Sequence, residues 1–208
     1  MLFEYLKQQY KDGEPIFLDD IHIEGMKRDN LRQQFKTLTD AGKIVRYEKG
    51  IYYIPKQTRF HLSSGPSPET VAKYKYISRN GKTDGYYSGS TFANLIGISM
   101  QVPRKKEIVS NNMSAIIREI TIENQSFIVR KTNVPISNEN VNVLQLLELL
   151  KNLDYYIDVD YCEAREKIKN YSLSVHITRD DIDRYIRNFP DSTFKYYYEM
   201  RLEHVLTS

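Results

Sequence analysis

The sequence predicts an α/β (α+β) protein of two domains, in which a small N-terminal domain precedes a mixed α+β domain with a helical C-terminus. A helical segment at 27–41 is followed directly by two strand-like runs. A stretch rich in Ser, Pro and Gly at 57–68 marks a domain boundary, because these residues favour turns and loops. Beyond it, strand patterns at 106–131 give way to helical patterns that continue to the last residues. We therefore expect domains at 1–58 and 59–208.

The first residues predict short elements that lead up to the helical segment. Leu2–Lys11 is expected to form a helix, which Gly13 and Pro15 end. Ile16-Phe17 is expected to be a short strand that pairs with the later hairpin. Leu18–Ile23 follows as a second helix, whose opening turn holds acidic residues where the helix dipole favours them.

The segment Lys27–Ala41 predicts the helix around which the first domain is organised. Leu31, Phe35 and Leu38 are spaced four and three residues apart, so they share one face and pack inward. Gly42 follows at the position where a helix turns left-handed, which a residue without Cβ does at no steric cost.

A two-stranded hairpin is expected directly after this helix. Ile44–Tyr47 alternates in side-chain direction, and Glu48-Lys49-Gly50 supplies a turn that accepts a positive φ. Ile51–Ile54 is the return strand, and Pro55 ends it because proline lacks a backbone donor.

This order of elements indicates a winged helix-turn-helix, which reads DNA with its second helix in the major groove. The helix face opposite the apolar stripe carries Asp29, Gln33 and Lys36, flanked by Arg32 and Thr37. Arg and Gln read base edges and Lys suits phosphates. We expect base contacts from Arg32 and Gln33 and phosphate contacts from the basic residues, the full DNA-binding set being Lys27, Arg28, Asn30, Arg32, Gln33, Lys36, Thr37 and Lys49. The alternative is a helix–hairpin subdomain with no ligand and a merely solvated basic face.

The charge distribution favours the DNA-binding interpretation. Nine basic and three acidic residues between Lys27 and Arg59 give this segment +6, and a whole-chain charge of +3 leaves −3 for the rest. Positive charge is thus concentrated where phosphates would be met.

Composition is that of a soluble globular protein. The chain has no run of eighteen apolar residues and no signal-peptide pattern, so we expect no membrane segment and a cytoplasmic location. The single cysteine, Cys162, excludes an internal disulfide, and we expect it half-buried in a helix.

The second domain is expected to alternate helices and strands before its helical end. Ser67 caps a helix at Pro68–Ser78, Asn80–Gly85 is a loop, and Ser88 or Ser90 caps a helix that runs to Gly97. The remaining expected elements are strands at Lys106–Ser110, Ile116–Ile122 and Gln125–Lys131, and helices at Val141–Leu153, Tyr161–Asn170, Thr178–Asn188 and Thr193–Val205.

Two stretches resemble a known family. LTDAGKIVRYEKGIYYIP, at 38–55, is similar to the winged helix of AbiEi-type antitoxins. GYYSGSTFANLIGISMQVPRKKEIVSNN, at 85–112, resembles the core of their second domain. The resemblance implies the antitoxin of a type IV toxin–antitoxin (abortive infection) pair. Its N-terminal domain would repress its own promoter, and its C-terminal domain would counter a nucleotidyltransferase-like toxin.

The sequence offers one candidate for catalysis. Asp158 and Asp160, with Glu163 and Glu166 nearby, could hold a divalent cation if they alternated along a strand. The simpler interpretation, which we favour, is a loop entering a helix with acids at its N-terminus. The four histidines are far apart in sequence, and no nucleophile or glycine-rich phosphate motif is present. We therefore expect no catalytic residues, no metal and no cofactor.

A single module of this kind contacts few base pairs, so we expect two copies, as a homodimer on DNA, bound to an inverted repeat of operator DNA. Two alternatives remain open. One is a stand-alone winged-helix regulator whose second domain dimerises or senses a ligand. The other is a metal-dependent nucleotidyltransferase that uses Asp158 and Asp160.

Overall fold

A computed structural model describes residues 2–56 and 65–204. The chain divides into two compact units, Met1–Val71 and Ala72–Ser208. The domain boundary expected after residue 58 falls outside the described residues, as do Arg59 and Val205.

The described residues form a mixed α+β protein, as expected. The helices are α1 (Leu2–Gln9), α2 (Arg28–Asp40), α3 (Pro68–Tyr76), α4 (Gly89–Leu95), α5 (Val141–Leu150), α6 (Leu153–Tyr156), α7 (Tyr161–Ser174), α8 (Arg179–Tyr185) and α9 (Asp191–Glu199). The strands are β1 (Ile16–Phe17), β2 (Val45–Glu48), β3 (Ile51–Tyr53), β4 (Ser78–Arg79), β5 (Lys82–Thr83), β6 (Gly85–Tyr87), β7 (Lys106–Ser110), β8 (Ile117–Ile122) and β9 (Gln125–Lys131). Short 3₁₀ turns lie at Leu18–Asp20, Ile186–Asn188 and Leu202–His204.

The first unit contains a three-stranded antiparallel sheet in the order β1-β3-β2. β1 pairs with the return strand of the hairpin, Ile16 opposite Tyr52, which confirms the pairing expected from the sequence. The core lies between this sheet and helices α1 and α2, where Leu6, Ile16 and Phe35 are fully buried. The Phe35 ring also packs against Tyr52, with 4.9 Å between ring centroids.

Helix α2 begins and ends where the sequence places it. Leu31 and Phe35 are buried and Leu38 packs against the same core. At the C-terminus, Gly42 has φ +67°, its N–H donates to the Thr39 carbonyl, and the Lys43 N–H donates to the Leu38 carbonyl. These two bonds form a Schellman motif, which satisfies the last carbonyls of the helix.

Two local expectations for the first unit are wrong. The helix expected at Leu18–Ile23 is only a 3₁₀ turn, because Ile21 adopts an extended backbone and its side chain is buried in the core. In the hairpin, Arg46 pairs with Tyr52 but Glu48 pairs with Ile51, so Tyr47 forms a bulge that interrupts the expected alternation.

The second unit contains a four-stranded sheet in the order β6-β7-β9-β8. β7 and β9 are parallel, whereas β6 pairs with β7 and β8 with β9 in antiparallel fashion. The expected strand at Lys106–Ser110 and the hairpin around Glu123-Asn124 are confirmed. The loop expected at Asn80–Gly85 is wrong, because Asn80 and Gly81 both have positive φ and close a small β4–β5 hairpin.

The helical part of the second unit is built around α5, which is buried on most of its surface. Leu144, Leu146, Leu147, Leu149 and Leu150 are at most 1% exposed. The helix ends at Leu150 rather than continuing through Leu153, which begins α6. Helix α8 begins at a capping box, in which Thr178 and Asp181 each bond to the other's backbone N–H.

The expectation that a serine side chain caps α4 fails. Ser88 precedes the helix but makes no capping hydrogen bond; its hydroxyl accepts a bond from Arg130 instead, at 3.1 Å. The Ser90 N–H donates to the Glu107 carboxylate at 3.2 Å, so an acidic side chain from β7 serves the helix N-terminus. Leu95, the last residue of α4, is 63% exposed although it is apolar.

Arg130 connects the sheet to the helices of the second unit. From β9 its guanidinium lies 2.7 Å from Glu148 on α5 and 3.7 Å from Glu107 on β7. Lys151 lies 3.2 Å from the same Glu148 oxygen. Four charged side chains from three elements thus share one half-buried site.

Gly85 provides a test of this architecture. A Cβ added there would lie 2.6 Å from the Val109 carbonyl oxygen and closer still to that of Tyr76. Since both obstacles are backbone atoms, they cannot move aside without disturbing β7 and α3. We expect Gly85→Ala to lower the free energy of unfolding by about 3 kcal/mol or more, measured by urea denaturation.

Gly81→Ala is the matched control. Gly81 has φ +75° but nothing within 4 Å of an added Cβ, so only backbone strain of about 1–2 kcal/mol is expected. Equal losses in the two variants would contradict the proposed steric role of Gly85.

Candidate nucleic-acid interface

The outward face of α2 carries most of the residues that the sequence assigns to DNA binding. Asn30, Arg32, Gln33, Lys36 and Thr37 are all exposed. They lie opposite Leu31 and Phe35, which anchor the helix to the core. The helix therefore presents these polar side chains together on one solvent-facing surface.

Hydrogen bonds within α2 pre-order part of this surface. The Arg32 guanidinium lies 3.2 Å from Asp29 one turn earlier, and both side chains are largely exposed. The Thr37 hydroxyl donates to the Gln33 carbonyl at 3.1 Å, and the Gln34 amide donates to Asn30 at 3.4 Å. Gln33 and Lys36 keep exposed side chains between these pairs. Because Asp29 offsets the charge of Arg32, the face is less positive than its basic residues alone suggest.

The backbone of Leu18 joins the start of α2 to the turn of the hairpin. Its N–H donates to the Gly50 carbonyl at 2.9 Å, and its carbonyl accepts a bond from Arg28 at 3.0 Å. Arg28 also forms an ion pair with Asp19. Lys49, next to Gly50, and Lys27, next to Arg28, are both exposed. Two exposed lysines are therefore held at the same end of the unit, while Arg28 is engaged within the protein.

The positive charge of the basic segment is divided between two places. Lys43 and Lys56 line a concave surface together with Lys7 and Asp12. The Lys7 and Lys43 ammonium groups lie 5.2 Å and 5.3 Å from the centroid of the Phe3 ring. Lys43 precedes β2 and Lys49 follows it, so the four-residue strand separates them by roughly 13 Å or more. The +6 segment is thus not a single patch.

Asp158 and Asp160 do not alternate along a strand, because residues 157–160 form no strand. Asp160 is the N-cap of α7, and its carboxylate accepts from the N–H groups of Cys162 and Glu163. Asp158 accepts from the Met100 N–H at 2.8 Å and from the Ser99 hydroxyl at 2.9 Å. Both carboxylates therefore serve backbone and loop donors, as the loop interpretation predicts.

Other candidates for chemistry remain dispersed. Within residues 2–56 and 65–204, no three His, Cys, Asp or Glu side chains are placed to hold a metal ion. Cys162 is exposed rather than half-buried as expected. Over the same part of the chain, no helix combines the length and apolar character needed to cross a membrane.

Sequence reasoning missed Leu18 and Asp19 as the partners that position Arg28. Asp19 was assigned to the first turn of a helix that does not form. The contact through Leu18 uses only its backbone, so side-chain identity gives no signal of it. The pairing of Asp19 with Arg28, nine residues later, has only a weak signal in the sequence.

Comparison with known proteins places the chain in a family without assigning it an activity. A family model described as "Family of unknown function (DUF6088)" matches residues 2–168, so this protein belongs to that family. The match covers the whole described part of the first unit and the second unit as far as α7. A search of curated proteins found no match.

The environment of Asp158 predicts a pH-dependent contribution to stability. The Met100 N–H, helped by the Ser99 hydroxyl, holds the pKa of this carboxyl below its ordinary value of 3.8. Since the folded-state pKa is the lower one, Asp158 stabilises the fold above pH 3.8, and this contribution is lost as the pH falls through the folded-state pKa. We expect Asp158→Asn to flatten the acid side of the stability profile, measured by urea denaturation at a series of pH values.

Ser99→Ala is the matched variant, because it removes one donor to Asp158 and leaves the Met100 bond in place. It should reduce the acid sensitivity only in part. An acid profile for Asp158→Asn that matches the unmodified protein would contradict this role.

Proposed function

We propose that residues 2–56 form a winged helix-turn-helix that binds double-stranded operator DNA. We further propose that the chain is the autoregulating antitoxin of a type IV toxin–antitoxin pair. The observation that carries the first proposal is the joint placement of two elements. The polar face of α2 and the Lys49 turn are both solvent-exposed, and Leu18 fixes the turn beside the start of the helix.

The order of elements supports this proposal. A helix, a short strand, a turn, a second helix and a hairpin follow one another, and the strands associate in the order β1-β3-β2. A helix anchored by one apolar stripe can enter a major groove with its opposite face, where Arg and Gln side chains read base edges. Arg32 and Gln33 occupy that face, while Asn30, Lys36 and Thr37 flank them.

The lysines at the other edge of this surface suit the phosphate backbone. Lys27 and Lys49 are exposed, and neither forms an ion pair with a residue that the structure describes. Arg28 is already bonded to Asp19 and Leu18, so in this proposal it positions the turn as well as adding positive charge. Phosphate contacts supply affinity and register without reading sequence.

A single helix reads too few base pairs to define an operator. We therefore propose that two copies bind an inverted repeat as a homodimer, with half-sites spaced by one turn of the duplex. This spacing would follow from the symmetry of the pair rather than from any residue of α2.

The antitoxin assignment rests on the resemblance of residues 38–55 and 85–112 to AbiEi-type antitoxins. The second stretch is continuous in the fold, where β6, α4 and β7 follow one another. Its final residues hold neighbouring segments together: the Asn111 side chain bonds to Asp84 and to the backbone of Ile136. In our proposal the chain is cytoplasmic, and this unit opposes a nucleotidyltransferase-like toxin.

Loss of a base contact and loss of a phosphate contact should change DNA binding in different ways. Arg32→Ala should weaken binding to the DNA upstream of the gene by about 1–3 kcal/mol and relax the preference at one base pair. Lys49→Ala should weaken binding to all DNA sequences about equally. It should also reduce the slope of log K against log salt concentration by about one unit. Fluorescence anisotropy with operator and scrambled duplexes at several salt concentrations measures both effects.

Asp29→Asn is the control with the opposite sign. It removes a negative charge from the same face and releases Arg32, so binding should tighten. Lys105→Ala, far along the chain in the second unit, should leave binding unchanged. If the full-length protein binds no DNA at low salt, or binds without salt dependence, the DNA-binding proposal is wrong.

The antitoxin proposal predicts that protection and DNA binding can be separated. The full-length chain should relieve growth arrest caused by the product of the adjacent toxin gene. The double variant Arg32→Ala, Lys49→Ala should lose promoter repression in a reporter assay yet still protect, because opposition to the toxin is assigned to the second unit. Loss of protection in parallel with loss of repression would instead indicate that the chain acts only through transcription.

A further inference from the structure

The second unit contains a cavity of about 260 Å³ that neither the DNA-binding proposal nor the antitoxin proposal uses. Strands β6, β7 and β9 contribute Tyr86, Val109 and Arg130, α5 contributes Leu144 and Glu148, and its C-cap residue contributes Lys151. The loop at Phe189-Pro190 forms part of the opposite wall. The volume of the cavity is close to the lower limit for small-molecule sites in proteins, which suits a compact metabolite.

The walls of the cavity divide into a cationic part and an apolar part. Arg130, Lys131 and Lys151 line it, and Glu148 is the single carboxylate among the lining residues. Glu148 bonds to both Arg130 and Lys151, at 2.7 Å and 3.2 Å, and Glu107 lies 3.7 Å from Arg130, so two carboxylates offset part of the charge of the three cations. The net charge of the lining is therefore positive. The apolar part comes from a small buried cluster that includes Val109 and Leu144, with Phe189 packed against it.

Tyr86 contributes a hydroxyl-bearing side chain to the lining of the cavity. Its side chain lines the cavity and the residue is only 4% exposed. Its hydroxyl makes no hydrogen bond to any residue in the described part of the chain. The fully enclosed polar atoms that lack a partner in the described residues do not include this oxygen, so it keeps access to open space and is free to bond to a ligand.

The state of the hydroxyl is also defined. Burial raises the pKa of Tyr86, and the nearby Glu148 carboxylate raises it further. The phenol therefore keeps its proton and can donate a hydrogen bond into the cavity. A ligand that satisfies it must present an acceptor oxygen or nitrogen.

We propose that this cavity binds a small organic anion, in which a carboxylate or phosphate group is held by Lys151 and Arg130 while an apolar body contacts Val109, Leu144 and Phe189. In this arrangement Tyr86 donates its O–H to an acceptor atom of the ligand. Arg130 and Lys151 share the Glu148 carboxylate, and together with Lys131 they leave the lining with a net positive charge. This site is independent of the proposed DNA-binding function, because all of its residues belong to the second unit.

The sequence contains a signal for part of this site. Helix α5 reads VNVLQLLELL, in which Glu148 is the one charged residue of an otherwise apolar and neutral segment. A lone carboxylate in a buried helix requires a cationic partner, since an unpaired buried charge is costly. The sequence does not show that the partner is Arg130 or that Tyr86 lies beside the pair.

The test uses the full-length protein with phenyl phosphate and benzoate as probes, measured by isothermal titration calorimetry. One of the two should bind, and the stronger one identifies whether the anionic group is a phosphate or a carboxylate. Tyr86→Phe should weaken that binding about 2- to 10-fold through loss of one hydrogen bond. Lys151→Gln should weaken it by a similar factor or more, because a charged contact is removed.

Lys105→Gln is the matched control, since Lys105 pairs with Glu119 and is not among the lining residues of the cavity. It should bind the probe as the unmodified protein does. Tyr86→Phe removes only a hydroxyl, and its circular dichroism and urea midpoint establish that the variant is folded. Absence of binding by both probes at millimolar concentration, or equal binding by the Tyr86, Lys151 and Lys105 variants, would overturn the proposal.

Discussion

The second unit depends on one half-buried guanidinium. Arg130 bonds to Glu148 and Ser88 and lies close to Glu107, so a single side chain of β9 connects α5, the turn before α4, and β7. A buried ion pair of this kind adds little net stability over an apolar contact, but removing one partner costs about 3–5 kcal/mol because the other is left buried and unpaired. The Arg130 ion pair therefore contributes mainly by fixing how α5 and β7 pack against β9. Because Arg130 also lines the cavity, these bonds hold part of the cationic wall in a fixed position.

In the first unit, backbone hydrogen bonds rather than an ion pair fix the relative position of two elements. Leu18 bonds through its N–H to the hairpin turn and through its carbonyl to Arg28 at the start of α2. Because both bonds come from one residue, the helix and the turn keep a fixed spacing. In the DNA-binding role that we propose, this spacing would place the helix and the Lys49 turn in register with the groove and the phosphates.

The parts of the fold with strong local patterns could be predicted from sequence. Leu31 and Phe35 fix the inward face of α2, and Gly42 ends it, because periodicity and left-handed geometry are properties of neighbouring residues. The exposed candidates for DNA binding follow from the same period. The Asn80-Gly81 dipeptide also carries a local signal, because Asn-Gly favours a two-residue hairpin turn. The bulge at Tyr47 and the partners of Arg28 and Arg130 could not be predicted, because they depend on contacts between segments distant in sequence.

The position of β9 between β7 and β8 has a consequence for how the second unit folds. β8 and β9 are joined by a two-residue turn and can pair within microseconds, whereas β7 must find β9 in parallel register across an intervening strand. The local hairpin therefore forms before its docking onto β7, and that docking closes a larger loop at greater entropic cost. Until it is complete, both edges of the hairpin are exposed. Arg118 and Glu119 place charges on β8, which remains an edge in the finished sheet and is thereby protected from pairing with other chains.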